Sequence, residues 1–248
     1  MSNNSSIQSD SQRLAGRRIV ITGAASGIGR VTARLFMEEG AKVILLDRNA
    51  DALQTAFEGL DTVVAGVDIT RDNEVVKVIA QAAETVGGID GVINAAGIMF
   101  TGPTADLSPQ SWRQVIDVNL SGTFFVIQAC LPWLKSNDFS TVVNVASGAG
   151  LLPNAPGLAA YAASKGGVIA LTKALAADLA PNIRVNCVCP GMVDTPMADG
   201  FRANVGNYAL KRIADPAEIA RAMLFLTSSE SSYVTGATLA VDGGRTFH

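Results

Sequence analysis

The sequence predicts one α/β domain: a Rossmann-type doubly wound parallel sheet between two helical layers, three layers in all. Three observations carry that expectation. Short β-branched runs alternate with longer amphipathic stretches. The runs are apolar almost throughout, as in strands covered on both faces, and the first of them passes straight into a glycine-rich turn that opens a helix.

In chain order the predicted strands are 17–22, 42–47, 62–68, 91–94, 141–147, 183–189 and a last short one at 237–242. The predicted helices are 27–39, 72–86, 108–135, 161–179 and 216–226, with Ser108-Pro109 and Asp215-Pro216 supplying an N-cap followed by proline at the first helical position. Each interval between strands is long enough for a crossover helix, which parallel neighbours require. At 248 residues with no internal repeat or linker, one core is expected over 14–248. The segment 1–13 is polar and reads as a disordered tail, and 196–208, which lacks a strong pattern, reads as a mobile substrate loop.

Composition excludes several classes. Nineteen basic against twenty-two acidic residues give a net charge of −3, so no nucleic-acid surface is expected. No run approaches the roughly twenty apolar residues of a membrane span, and the start of the chain lacks the pattern of a secretory signal, so the expected location is cytoplasmic, with no membrane partner. Cys130, Cys187 and Cys189 lack metal-ligand spacing and read as buried free thiols, and no metal is expected. The single histidine is His248, the last residue, which excludes a Ser-His-Asp hydrolase.

The turn after the first strand is Thr22-Gly23-Ala24-Ala25-Ser26-Gly27-Ile28-Gly29. Gly23 permits the tight turn, Gly27 lets the backbone approach a pyrophosphate, and Gly29 allows close helix packing, while the helix start offers free N–H groups to the anion. The second strand ends in Asp47, where such a fold puts the carboxylate that accepts from the adenosine ribose hydroxyls; this argues for NAD. Asp68 has two readings, acceptor for the adenine amino group or cap of the helix beginning near Arg71. Tyr161 and Lys165 lie four apart at the start of a helix, so phenol and ammonium share one face.

With these residues in view, the chain resembles the short-chain dehydrogenase/reductase family in its form of roughly 250 residues. The likeness spans 14–244 and rests on Thr22-Gly23…Gly27-Ile28-Gly29, Asn94-Ala95-Ala96-Gly97, Val118-Asn119-Leu120, Ser147, Tyr161…Lys165, Pro190-Gly191…Thr195 and Val241-Asp242-Gly243-Gly244. The resemblance implies that Tyr161 is the acid/base, that Lys165 holds the nicotinamide ribose and lowers the phenol's pKa, that Ser147 hydrogen-bonds the reacting oxygen, and that Asn119 anchors a water relay to Lys165. It also implies backbone contacts from Ile28 and Asn94 to the cofactor, contacts from Val193 and Thr195 to the carboxamide, and a cofactor set that takes in Ser26, Ile69, Pro190 and Gly191. Two departures, Ala95 where a second Asn is common and Ala146 where a second Ser is frequent, replace no chemical group.

Independent chemistry supports these roles. Oxidising an alcohol needs a base for its proton, and lowering a phenol from its ordinary pKa of about 10 by about three units is worth roughly 4 kcal/mol, within reach of nearby cations in a desolvated site. Ser147, with no base beside it, suits an oxygen-binding donor better than a nucleophile; a capping serine is the plain alternative. The expected function is hydride transfer between NAD(H) and a secondary alcohol or ketone. The alternatives are a 3-oxoacyl-[acyl-carrier-protein] reductase using NADPH, which Arg48 beside Asp47 keeps open, and a dinucleotide-binding sensor without turnover. Met99, Leu151, Leu152, Met192 and 197–207 are the expected pocket walls for a small-molecule substrate. Family resemblance and the long apolar faces of 108–135 and 161–179 point to a homotetramer.

Overall fold

The structure is a computed structural model describing residues 12–153 and 155–246. Seven strands, β1 (Arg18–Thr22), β2 (Lys42–Asp47), β3 (Val63–Gly66), β4 (Gly91–Asn94), β5 (Ser140–Val145), β6 (Ile183–Pro190) and β7 (Thr238–Val241), form one sheet in the order β3-β2-β1-β4-β5-β6-β7. Every neighbouring pair is parallel.

Alternation along the strands builds two cores. In β1 and β2, Ile19, Ile21, Val43 and Leu45 pack with Phe36 of α1 (Gly27–Glu38) and with Ile219 and Met223 of α8 (Pro216–Thr227). Val20, Ile44 and Leu46 point the other way, onto Val75 and Ile79 of α3 (Asp72–Val86), with Val126 and Ile127 of α5 (Gly122–Leu134) and Leu175 of α7 (Ala159–Leu179) in the same cluster. Burying both faces is why the strands carry no polar alternation, each large aliphatic side chain contributing about 1.5–3 kcal/mol.

Several element boundaries differ from expectation. β3 stops at Gly66, so Asp68 lies two residues beyond the strand. A short α2 (Ala50–Ala56) follows β2, capped by the Asn49 side chain accepting from the Ala52 N–H at 3.1 Å; seven residues were too few to show a helical period. The helix expected at 108–135 runs as α4 (Pro109–Ile116), a π-helical turn at Asp117–Ser121, and α5. This continuous 109–134 helix is long and apolar enough by composition to cross a membrane, which the run-length reading of the sequence did not register; its Val126, Ile127, Cys130 and Leu134 are buried in the core. A one-turn α6 (Gly148–Leu151) follows β5.

The expected tail at 1–13 falls mostly outside the described residues, but Arg13 is described and pairs with Glu39 at 2.6 Å. The segment expected as a loop at 196–208 forms two 3₁₀ turns, Pro196–Ala198 and Arg202–Asn207, with Arg202 bonded to Asp194 at 2.7 Å. All three cysteines are free and buried.

Candidate active site

Strand order reverses about β1, whose neighbours β2 and β4 lead away in opposite directions; the crevice beyond the carboxyl ends at such a point is where open α/β sheets bind ligands. A cleft of about 1340 Å³ opens there, lined from the glycine turn at one end to the 3₁₀ segment at the other.

The glycine turn has the geometry its sequence requires. Gly23 and Gly27 have φ of 69° and 52°, in the left-handed region. A Cβ on Gly23 would stand 2.8 Å from the Ala96 backbone, and one on Gly29 would stand 2.2 Å from the Gly23 carbonyl. Ser26 is the extended N-cap of α1, yet its side chain makes no capping bond, so no side chain of its own blocks the first N–H groups of α1, Ile28 and Gly29 included. This bare, concave helix start fits a pyrophosphate. Thr22 ties it down: its hydroxyl accepts from the Ala95 and Ala96 N–H groups, each at 3.1 Å.

Asp47 ends β2 and lines the cleft beside Arg48. Its carboxylate accepts from the Ala25 N–H and the Asn49 N–H, both at 3.0 Å, so it supports the turn as well as facing the cleft. Asp68 does not cap α3, whose N-cap is Arg71; it accepts from the Thr70 N–H at 2.9 Å and hydroxyl at 2.8 Å. Burial pushes this carboxyl up, and the Thr70 bonds more than offset it, so its pKa lies below the ordinary value. Asp68 and the buried Ile69 both line the cleft. The Asn94 side chain turns away from the cleft, donating to Asn144 Oδ1 at 2.9 Å, which leaves its backbone as the part available at the strand end.

At the centre, Ser147, Tyr161 and Lys165 line the same cleft. They meet because α6 lies directly on α7: a Cβ on Gly150 would stand 2.7 Å from the Lys165 carbonyl carbon. Ser147 caps α6, accepting from the Ala149 N–H at 3.1 Å, and its hydroxyl also reaches Tyr161; the capping and the site readings describe one residue. Lys165 is 4 % exposed, with Nζ donating to the Val145 carbonyl at 2.7 Å and lying 5.8 Å from the Tyr161 ring centre. Burial lowers its pKa to about 8. Burial raises that of Tyr161, against the downward pull of the Ser147 hydroxyl. The phenol is therefore held above its ordinary pKa.

Asn119 sits in the π turn, its Oδ1 accepting from the Ile98 N–H at 2.8 Å and its Nδ2 donating to the Ile98 carbonyl and the Ser164 hydroxyl, each at 2.9 Å. A Cβ on Gly97 would stand 3.3 Å from Asn119 Oδ1 and 3.4 Å from Lys165 Nζ, so the two flank this glycine. The far wall comes from the end of β6. Pro190 closes the strand, and a Cβ on Gly191 would stand 2.8 Å from the Asp242 carbonyl and from the Tyr208 ring. Val193 bridges Ala214, and the Thr195 methyl would stand 3.4 Å from a Cβ on Gly27, closing the far wall onto the glycine turn.

Every catalytic or cofactor residue expected at the site except the side chain of Asn94 and the interior Asn119 lines the cleft, and those two buttress it; of the expected pocket walls Met99, Met192 and part of 197–207 line it, but Leu151 and Leu152 do not, because the one-turn α6 carries them past it and leaves Leu151 exposed. Ser164, Gly97 and Arg245 were not assigned from sequence. Gly97 was visible as the end of Asn-Ala-Ala-Gly and Ser164 as the residue before Lys165 in Tyr161-Ala-Ala-Ser-Lys165, whereas Arg245 reaches the cleft only through tertiary contacts.

Fold and cleft together define a dinucleotide-binding enzyme. A family model described as enoyl-(acyl carrier protein) reductase matches residues 23–246. The chain is 42 % identical over 243 residues to 3-oxoacyl-[acyl-carrier-protein] reductase FabG of Thermotoga maritima, covering 94 % of this chain and 98 % of that one. Among solved structures it resembles a glucose/ribitol dehydrogenase of the short-chain type from Brucella melitensis, with a TM-score of 0.90, 35 % identity, and 95 % and 99 % of the two chains covered. It also resembles a 3-ketoacyl-(acyl-carrier-protein) reductase from the same organism in complex with NADH, with a TM-score of 0.90, 33 % identity, and 94 % and 100 % covered. The chain belongs to the short-chain dehydrogenase/reductase family. It is an oxidoreductase that acts on CH–OH donors or the corresponding ketones with a nicotinamide dinucleotide.

Proposed function

We propose that this enzyme interconverts a secondary alcohol and a ketone with NAD(H), using Tyr161 as acid/base. The observation that carries the reading is the buried Lys165 ammonium under the Tyr161 ring, in one cleft with Ser147 and the bare start of α1. The bound dinucleotide supplies the hydride acceptor or donor and, when oxidised, a positive ring. In the oxidation direction Tyr161 takes the hydroxyl proton as its phenolate, and Ser147 donates a hydrogen bond to the same oxygen. Lys165 bonds the nicotinamide ribose and brings the phenol's pKa down toward neutrality, its own pKa lowered by burial to about 8. Asn119 holds a water that passes the proton onward past Gly97. Val193 and Thr195 orient the carboxamide, Ile28 and Asn94 offer backbone groups, and Ser26, Ile69, Pro190 and Gly191 complete the walls.

NAD is the proposed cofactor because Asp47 faces the adenosine end, where a 2′-phosphate would meet a like charge. The second reading, a carrier-protein reductase using NADPH, has the Thermotoga relative and Arg48 in its favour. One assay separates them: NADH formation with a panel of secondary alcohols and polyols, run beside NADPH oxidation with a 3-oxoacyl thioester. Faster turnover in the second arm would replace the first reading. The partner surfaces proposed for a homotetramer are the helices 109–134 and 159–179, the first exposing Trp112 and Phe124; a monomer by light scattering at micromolar concentration would reject it. Three free thiols fit a reducing, cytoplasmic location.

A further inference from the structure

The cleft wall that continues from Ser147 comes from three stretches: α6, residues 155–158 and residues 191–208. Leu158, Met192, Met197, Phe201 and Tyr208 make most of its side-chain surface. The polar side chains in the same wall are Thr195, which closes onto the glycine turn, and Asn204 and Asn207 from the second 3₁₀ turn. Arg245 lines the cleft as well, donating from Nη1 to the Leu152 carbonyl at 3.4 Å. Among the described residues, none of the three stretches brings a carboxylate to the cleft.

The segment 191–208 is not apolar by composition, since it contains Asp194, Asp199 and Arg202. Those charges are spent on one another: Arg202 Nη2 pairs with Asp194 at 2.7 Å and with Asp199 at 3.2 Å, all three side chains are exposed, and none lines the cleft. The residues between them, Met192, Met197 and Phe201, are the ones that do. Tyr208 closes the segment with its ring on the Gly191 backbone, where a Cβ would stand 2.8 Å away, and its hydroxyl accepts from the Met192 backbone. A polyol placed against this wall would give up water for few partners, and each hydroxyl left unpaired costs affinity, whereas each methylene covered gains it. The thioethers of Met192 and Met197 adapt to the outline of an apolar group.

We propose that the substrate is a secondary alcohol, or its ketone, whose carbinol carbon bears an aliphatic or alicyclic group seated on Met197 and Phe201, and that polyols and sugars are rejected. This deepens the proposed function and rests on Ser147 and Tyr161 as the reaction centre. The test is binding to the NADH-loaded enzyme, in which alcohols bind but are not oxidised, read by the fluorescence of the bound NADH. The probes are butan-2-ol, hexan-2-ol and octan-2-ol, with galactitol as the polyol that carries a hydroxyl on every carbon of the hexan-2-ol chain.

Full burial of a methylene is worth about fourfold in affinity, so a rise of at least about tenfold from butan-2-ol to octan-2-ol is expected. Hexan-2-ol should bind at least about tenfold more tightly than galactitol. A variant carrying Met197→Asn and Phe201→Asn should bring the rise along the series to within about threefold. A flat series would overturn the proposal, as would galactitol binding as tightly as hexan-2-ol. A rise unchanged in the variant would overturn it too, because the alkyl group would then lie elsewhere. Turnover with NAD⁺ is read separately: if none of these alcohols is oxidised while the affinity trend stands, the reaction assignment fails and the apolar subsite survives; if they are oxidised without the trend, the reverse holds.

Discussion

At the amino ends of the strands the buried Asp90 accepts from both Arg17 and Arg18, the latter at 3.0 Å, and Arg17 and Arg184 stand on the Phe139 ring at 5.1 Å each. Arg184 spends further donors on the carbonyls of Val234, Leu226 and Ser228. At the carboxyl ends the buried Lys165 donates to one neutral carbonyl, and no carboxylate pairs with it among the described residues. At the amino end one carboxylate and a set of carbonyls tie three arginines to the strand ends, whereas at the carboxyl end the buried ammonium faces a cleft. Burial without a counter-ion lowers the Lys165 pKa to about 8, and burial likewise lowers that of Arg184 to about 10, so what separates the two cations is that Lys165 lines the cleft.

The sharpest way to break this contrast is Tyr161→Phe. Turnover should fall by about a thousandfold, in the range typical of lost acid–base groups, while cofactor affinity stays within a few-fold and the unfolding midpoint barely moves. Activity above about one percent in a stopped assay would remove Tyr161 from the reaction. The complementary change at the other end is Asp90→Ala, which leaves two arginines without their shared carboxylate. Urea denaturation should show a loss of about 3 kcal/mol, with kcat of the folded fraction near that of the parent. A large kcat effect at unchanged stability would erase the division between the two ends.

The smallest expected effect refines the carboxyl end alone. Asp47→Asn keeps an oxygen for the Ala25 N–H but removes the charge, so the ratio of NAD to NADP efficiency should fall by about tenfold, the scale of a unit-charge repulsion near 4 Å. Asp47→Ser, which also loses the support to the turn, should relax the ratio similarly while weakening both cofactors. An unchanged ratio in Asp47→Asn would show that this carboxylate serves the turn and not the ribose.

The sequence by itself determined the parallel sheet, the glycine turn and the Tyr161–Lys165 pair, because each is written in local terms: β-branched runs, glycines where φ is positive, and a four-residue spacing on one helix face. Its errors are also local, since β3 and α2 are too short for a period to show, and a hydropathy average over 109–134 sums residues that a run count separates. Only the tertiary structure decided that Ser147 caps α6 and reaches Tyr161 at once, that Asn119 and Lys165 flank Gly97, and that Arg245 stands beside Gly148. Those relations join residues from fourteen positions apart, Ser147 and Tyr161, to ninety-seven, Gly148 and Arg245, and they exist only because the parallel crossovers bring every strand's carboxyl end to the same edge of the sheet.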